Sequence, residues 1–312
     1  MEREVTFKIP SVCTVQRVKQ LLEATAPIFG LVDKRIEHVK VVTSYVEKMD
    51  IVGVLLIYKF VEYTSKKGCF KSPQMIGNDN FLYELQRFGF WELLDSFFKN
   101  LPANYNSLKY QFYNNVFVAP IKLNGISEVE AKNNYIPKIR EFYKDTETCH
   151  IVFSVLCEIV SNFKEHSQDE TDSILVATGD KNKFEVVCAD TGIGMISSMA
   201  TVLRNSPSIS IRDFDVLEIA TRQGMTSKHD TNHMGYGLWL ISEFVNLANG
   251  ELHMYSEGAY YVNQCGKIKK GTCGFWQGTI IYVSLPLNNV SSLQKCQDNL
   301  AELYEDIKIN CI

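Results

Sequence analysis

The sequence predicts an α/β protein built in two parts: a smaller N-terminal α/β domain over residues 1–130, a larger α/β domain over 131–290, and a polar tail from 291 to 312. Three observations predict it. Beyond residue 135, helical patterns such as IPKIREFYK and CHIVFSVLCEIVSNFKEHS give way to short runs of branched residues, SILVATGD and KFEVVCAD. A polar, turn-rich interval from LPANYNS to ISEVEAKNNY marks a junction between about 120 and 140. With 46% apolar residues over 312 positions, each part can bury its own core.

Taken in order, EVTFKIP alternates like an edge strand, and Ser11 or Thr14 can cap a helix through VQRVKQLLEA. HVKVVTSYVEKM and VGVLLIYKFVEYTSKKG fit a strand and a helix, or two helices. FLYELQRFGFWELLDSFFKN, 81–100, places Phe88, Phe90, Trp91, Leu94 and Phe98 at helical spacing, which suits an amphipathic helix docked on a sheet. The runs SILVATGD and KFEVVCAD meet at the polar turn GDKNK and form a hairpin that delivers Asp190 at a strand end. A long excursion spans 196–234, after which LWLISEFVNLA is a helix closed by Gly250, and ELHMYS and TIIYVSLPL are strands. The tail carries one weak helical stretch, LAELYEDI.

Composition narrows the function. The net charge of -4, with acids and bases interspersed, gives no electrostatic reason to expect a nucleic-acid partner, and KIKK at 267–270 suits a wetted hairpin tip. No uncharged run approaches the ~20 residues that a membrane span needs; VGVLLIYKFV is broken by Lys59, so no membrane partner is expected. The opening residues mix charged and apolar types unlike a secretory leader, and a cytoplasmic protein is expected. Nine cysteines without a CxxC pair or a regular framework point to reduced thiols. Cys265 and Cys273 can meet across a hairpin, yet the sequence supplies no further zinc ligands beside them.

Three patches carry chemistry. Glu158, Asn162 and His166 recur every four residues on one helix, within about 80° of rotation of one another, so one face presents them to one ligand. Their helix is otherwise apolar, through Val152, Val155, Leu156, Ile159 and Phe163, and a polar stripe there is costly unless it meets solvent or a ligand. An amide oxygen suits the octahedral shell of Mg²⁺. A carboxylate one turn earlier can deprotonate a water or hydroxyl in line with a terminal phosphate. In CADTGIGM, Asp190 can accept from an exocyclic amine such as that of adenine. Gly192 and Gly194 let the backbone turn and approach, and Ile193 and Met195 offer apolar cover for a flat ring. In HMGYGLWL, Gly235 and Gly237 open a helix whose first N–H groups form a cradle for phosphate.

These residues resemble the ATP-binding family shared by type II topoisomerases, heat-shock ATPase chaperones, sensor histidine kinases and mismatch-repair MutL proteins. The E-x-x-x-N-x-x-x-H form of Glu158, Asn162 and His166 is most similar to anti-sigma-factor serine kinases and related bacterial ATPases. DTGIGM resembles the family's D-x-G-x-G, and GYGLWL its G-x-G-L. The resemblance covers about 140–287. It implies a histidine-kinase-like ATPase domain: a two-layer α/β sandwich with a mixed sheet covered by helices on one face. It further implies that Glu158 is the general base, that Asn162 ligates Mg²⁺, and that Asp190 holds the adenine amine in a pocket shaped by Gly192, Gly194 and Met195. Residues 196–234 would be the lid over ATP, with Gly224, Thr226, Ser227 and Lys228 near phosphate. Gly235, Tyr236, Gly237 and Leu238 would close over the phosphates, His166 would contact phosphate or cap the site, and Thr279 would sit near the base on the last strand. GAYYVNQCGKIKKGTCGFWQG is longer than the matching segment of most such domains and looks like an added hairpin. Neither His38 nor His150 has the neighbours of a phosphoacceptor histidine, so a histidine kinase is not expected.

The leading expectation is therefore a hydrolase that binds Mg²⁺ and ATP and couples slow turnover and lid closure to a protein partner, a second copy or the N-terminal domain. A protein serine or threonine kinase and a nucleotide-gated module without turnover are the alternatives.

Overall fold

The computed structural model describes residues 4–31, 38–66, 74–76, 79–90, 115–123, 128–166, 173–203, 212–225 and 235–299. The chain opens with β1 (Glu4–Lys8), β2 (Val12–Cys13) and, after one 3-10 turn, α1 (Val18–Thr25). It continues through β3 (His38–Val42), β4 (Lys48–Met49), α2 (Ile51–Lys66), β5 (Gln74–Ile76) and α3 (Asp79–Arg87). Strands β1, β3 and β5 form a parallel sheet with β1 at its edge, and β2 pairs with β4. HVKVVTSYVEKM and the run after it thus resolve into strand and helix. The helical pattern at 81–100 holds through Arg87 and turns at Gly89; Trp91, Leu94 and Phe98 lie outside the described residues.

Neither Ser11 nor Thr14 caps the first helical segment with its side chain. Asp50 does so from 35 residues away: one carboxylate oxygen accepts the Val15 N–H at 2.7 Å, and the other accepts those of Val52 and Gly53 at 2.9 and 3.1 Å. One side chain thereby caps two helix starts and ties them together, although burial raises its pKa above the usual carboxylate range. Replacing Asp50 by Ala strands three amide donors and should lower stability by about 2–4 kcal/mol. Asp50→Asn, whose single carbonyl oxygen serves only one helix, should fall between; urea unfolding of the three chains checks the order.

The second part comprises β6 (Val116–Lys122), α4 (Glu128–Tyr143), α5 (Thr146–His166), β7 (Ile174–Asp180), β8 (Lys183–Ala189), α6 (Met195–Leu203) and α7 (Asp213–Ile219). It closes with α8 (Gly237–Ala248), β9 (Glu251–Ser256), β10 (Ala259–Gln264), β11 (Lys267–Thr272), β12 (Thr279–Pro286) and a helix over 290–299. LAELYEDI lies outside the described residues. The sheet order is β11-β10-β9-β12-β8-β7-β6. Every neighbouring pair in it is antiparallel, so the expected mixed sheet is replaced by an antiparallel one. The reason is local: β7–β8, β9–β10 and β10–β11 are joined by two-residue turns, which admit no parallel return. Glu257-Gly258 and Cys265-Gly266 have positive φ at both positions, as the type I′ hairpin requires. Strand β6 is the far edge of this sheet, so the sheet reaches back to Val116, ahead of residue 131.

Period-two alternation divides the strands between two cores. Leu175, Ala177, Val186, Cys188, Met254, Ile281 and Val283 face α4, α5 and α8. Ile174, Val176, Val187, Ala189, Tyr255, Ile280 and Tyr282 join Val54, Leu55, Tyr58 and Val61 of α2 and the rest of the N-terminal core. Both faces are therefore covered, where one was expected. The cause is α2, which is buried all the way round from Ile51 to Thr64 and needs apolar partners on every side. Its two charged residues in this stretch, Lys59 and Glu62, pair at 2.5 Å with no side-chain exposure.

Candidate functional site

Helices α5 and α8 lie side by side beneath the sheet, and their contact brings two of the chemistry-bearing patches together. A Cβ built on Gly237, the first residue of α8, would sit 2.3 Å from Glu158 Oε2 and 3.4 Å from Asn162 Nδ2. With no side chain at this position the helix start and the acid–amide pair approach closely; a Cβ would have to displace the Glu158 carboxylate. Tyr236, at the N-cap position, makes no capping bond with its side chain. Asn162 Nδ2 donates to the Glu158 carbonyl at 2.7 Å. That bond uses Nδ2 and leaves the amide oxygen, the atom a hard cation would use, uncommitted to it. Both side chains are half-buried. His166 is the last residue of α5, and its side chain is outside the described set.

Asp190 follows β8, which packs on α5, and is 3% exposed. Its Oδ1 accepts from Gly192 N at 3.1 Å and Thr279 N at 2.8 Å, while its own N–H donates to the Thr279 carbonyl at 3.0 Å. Thr279 thus reaches the site through its backbone. Gly278, at φ +92, is equally committed, since a Cβ there would lie 2.2 Å from Asp190 Oδ1 and 2.7 Å from Gly192 N. The Trp276 indole N–H donates to the Asp190 carbonyl at 2.8 Å. Three groups around 276–279 therefore hold one aspartate in place. Directly behind it, burial pushes the Cys188 thiol well above its usual range, which keeps it neutral.

Gly194, at φ +82, packs against Glu257, where a Cβ would meet Oε2 at 2.4 Å. Ser256 Oγ accepts the Met195 N–H at 2.9 Å, and Glu257 Oε2 accepts the Ser197 N–H at 2.8 Å, so the β9–β10 turn caps the start of α6. Met195 is half-buried and Ile193 is 41% exposed. Gly224 and Gly235 both have positive φ, and Gly235 lies against the Gly224 and Met225 backbone. Thr226, Ser227 and Lys228 lie outside the described residues. Tyr236 is half-buried with its ring 5.7 Å from that of Trp239. Leu238 is a core residue at 8% exposure, so it anchors α8.

The long hairpin has a structural task of its own. Lys270 of β11 bonds Asp215 at 2.7 Å and also Glu218, tethering α7 to the sheet edge. Bonds from Arg212 and Lys270 lower the Asp215 pKa to about 2. The tether therefore holds above the ordinary carboxylate value of 3.8 and is lost only as pH falls through about 2. Cys265 and Cys273, at the ends of the same hairpin, are both free thiols.

Gly278, Trp276, Ser256 and Glu257 were not legible as site residues from the sequence. The hydrogen bonds of Ser256, Glu257 and Trp276 to the 190–197 loop span 60 to 86 residues of chain, and Gly278 showed only as the glycine preceding Thr279. Among the described residues, no group of three or more His, Cys, Asp and Glu side chains could hold a metal ion, and no helix is long and apolar enough to cross a membrane. No family model matches the chain, and no curated protein matches it. A solved structure titled as the N-terminal domain of a DNA repair protein aligns at 14% identity over 60% of this chain and 48% of its own length, with a TM-score of 0.22. The chain thus spans about half of that structure, and a score this low does not establish a common fold.

Proposed function

We propose that the chain binds ATP with Mg²⁺ and hydrolyses it slowly, using a histidine-kinase-like ATPase arrangement of α5, β8 and α8. The observation that carries this reading is the seating of Gly237, the first residue of α8, against Glu158 and Asn162. A helix N-terminus attracts phosphate, and an acid and an amide oxygen beside it are the two groups a phosphoryl-transfer site needs. The donor set fits a hard cation: the Asn162 bond to the Glu158 carbonyl uses Nδ2 and leaves the amide oxygen uncommitted to that bond. When bound, Mg²⁺ would neutralise charge on the phosphate oxygens. Glu158 takes the proton from the attacking water. Asp190, pinned through Oδ1, reads the adenine amine, with Gly192, Gly194 and Met195 forming the floor of that pocket. Within the proposed lid, residues 196–234, Gly224 has positive φ and the Lys270 pairs of α7 fix one point on the sheet edge.

The test is calorimetric titration of the full chain with ATP and MgCl₂, followed by steady-state phosphate release. Saturable binding with slow release is the expected result. A chain that takes up no nucleotide sinks the reading. Binding without release by the wild type removes the hydrolytic half and leaves transfer to a protein hydroxyl, or a gated module.

A further inference from the structure

Besides covering the sheet face through α2, the N-terminal part meets the segment from Cys273 to Gly278, and the contacts there are specific. Phe29, in the 3-10 turn after α1, packs edge-on against Trp276 and Phe275, each with ring centroids 5.6 Å away, and against Tyr63 of α2 at 4.9 Å. Tyr63 Oη donates to Gln277 Oε1 at 3.2 Å. Gly274 lies on the backbone of α1, where a Cβ would come within 2.5 Å of Leu22 O and 2.4 Å of Glu23 N. The same few residues then grip the site from the other side. The Trp276 indole holds the Asp190 carbonyl, and Trp276 O accepts the Glu257 N–H at 3.0 Å, placing the carboxylate that caps α6. Gly278 and Thr279 meet Asp190 directly.

We propose that Trp276 is a positioning residue through which the N-terminal part sets nucleotide affinity. Phe29 packs on the Trp276 ring, Tyr63 backs Phe29 and bonds the neighbouring Gln277, and Trp276 holds Asp190 and, through Glu257, the first turn of α6. This inference rests on the proposed nucleotide function. Any state of the N-terminal part that moves Phe29 shifts the geometry of Asp190. By linkage, nucleotide bound at Asp190 favours the docked position of Phe29 to the same degree. The ring is 1% exposed and its N–H is bonded, so a shift of either neighbour changes its surroundings.

The chain has three tryptophans, at 91, 239 and 276, so a Trp91→Phe, Trp239→Phe background leaves Trp276 as the sole indole. In that background ATP with MgCl₂ should change the Trp276 emission saturably, at the midpoint measured by calorimetry. Adding Phe29→Leu, which lies away from the nucleotide residues, should raise the ATP dissociation constant about 5- to 20-fold with kcat unchanged. Tyr63→Phe, which loses only a hydroxyl, should give a smaller change of the same sign, and it serves if Phe29→Leu unfolds. Equal affinity in these variants and the parent, or an emission that ATP leaves unmoved while calorimetry shows binding, overturns the coupling and leaves the nucleotide site standing. No binding to the wild type overturns both.

Discussion

Glu158→Ala should retain ATP binding and lose phosphate release by about 10²–10⁴-fold, the range for removing a general base. The geometry makes the two effects separable. The carboxylate lies against the start of α8 beside Asn162, where triphosphate charge would gather, so its removal takes a like charge away from the ligand. Affinity for ATP should hold or rise. Asn162 keeps its bond to the residue 158 carbonyl, because that bond uses backbone, so the amide oxygen stays uncommitted to it. Glu158→Gln keeps the shape against Gly237 without a proton acceptor and should be as inactive as the alanine variant. Calorimetry with ATP and MgCl₂, run beside a phosphate-release assay on the three chains, checks this. Binding lost together with turnover would mean that Glu158 holds nucleotide instead of activating water.

How much of this was legible depended on the distance over which each signal acts. The Glu158–Asn162 pair is a helical repeat, and the hairpin that delivers Asp190 is a turn between branched runs, so both could be read locally. The resemblance implied that Gly237 closes over phosphate, whereas its seating on Glu158 is a contact only the structure gives. Other features have no local signal. Helix α2 is apolar on all sides, so its sequence does not say what it faces, and its role in covering the second side of the sheet follows only from the strand alternation opposite it. Asp50 looks like an ordinary helix cap for α2, and nothing nearby in sequence reveals that its other oxygen caps the segment beginning at Val15. The FWQG run containing Trp276 reads as the end of the added hairpin, whereas its ring and backbone are where the N-terminal core and the Asp190 loop meet.

The second large effect is expected at Asp190, and it concerns identity of the base more than strength of binding. In Asp190→Asn the amide oxygen can accept from Gly192 N and Thr279 N as Oδ1 now does, so these two bonds and the Trp276 bond should be kept. What changes is the other arm of the side chain, from acceptor to N–H donor. Adenine presents a donor amine, and two donors facing each other in a site 3% exposed leave both unsatisfied. A loss of about 3 kcal/mol, at least ~100-fold in ATP affinity, follows from that mismatch. The same argument runs in reverse for a base with a carbonyl oxygen at that ring position. Inosine triphosphate should bind Asp190→Asn better than it binds the wild type, while ATP does the opposite. Titrating both nucleotides into both chains gives a two-by-two comparison in which general damage to the fold would weaken all binding to the variant. Only an aspartate that reads the base directly produces the crossover, and ATP affinity unchanged in Asp190→Asn would remove Asp190 from the base pocket.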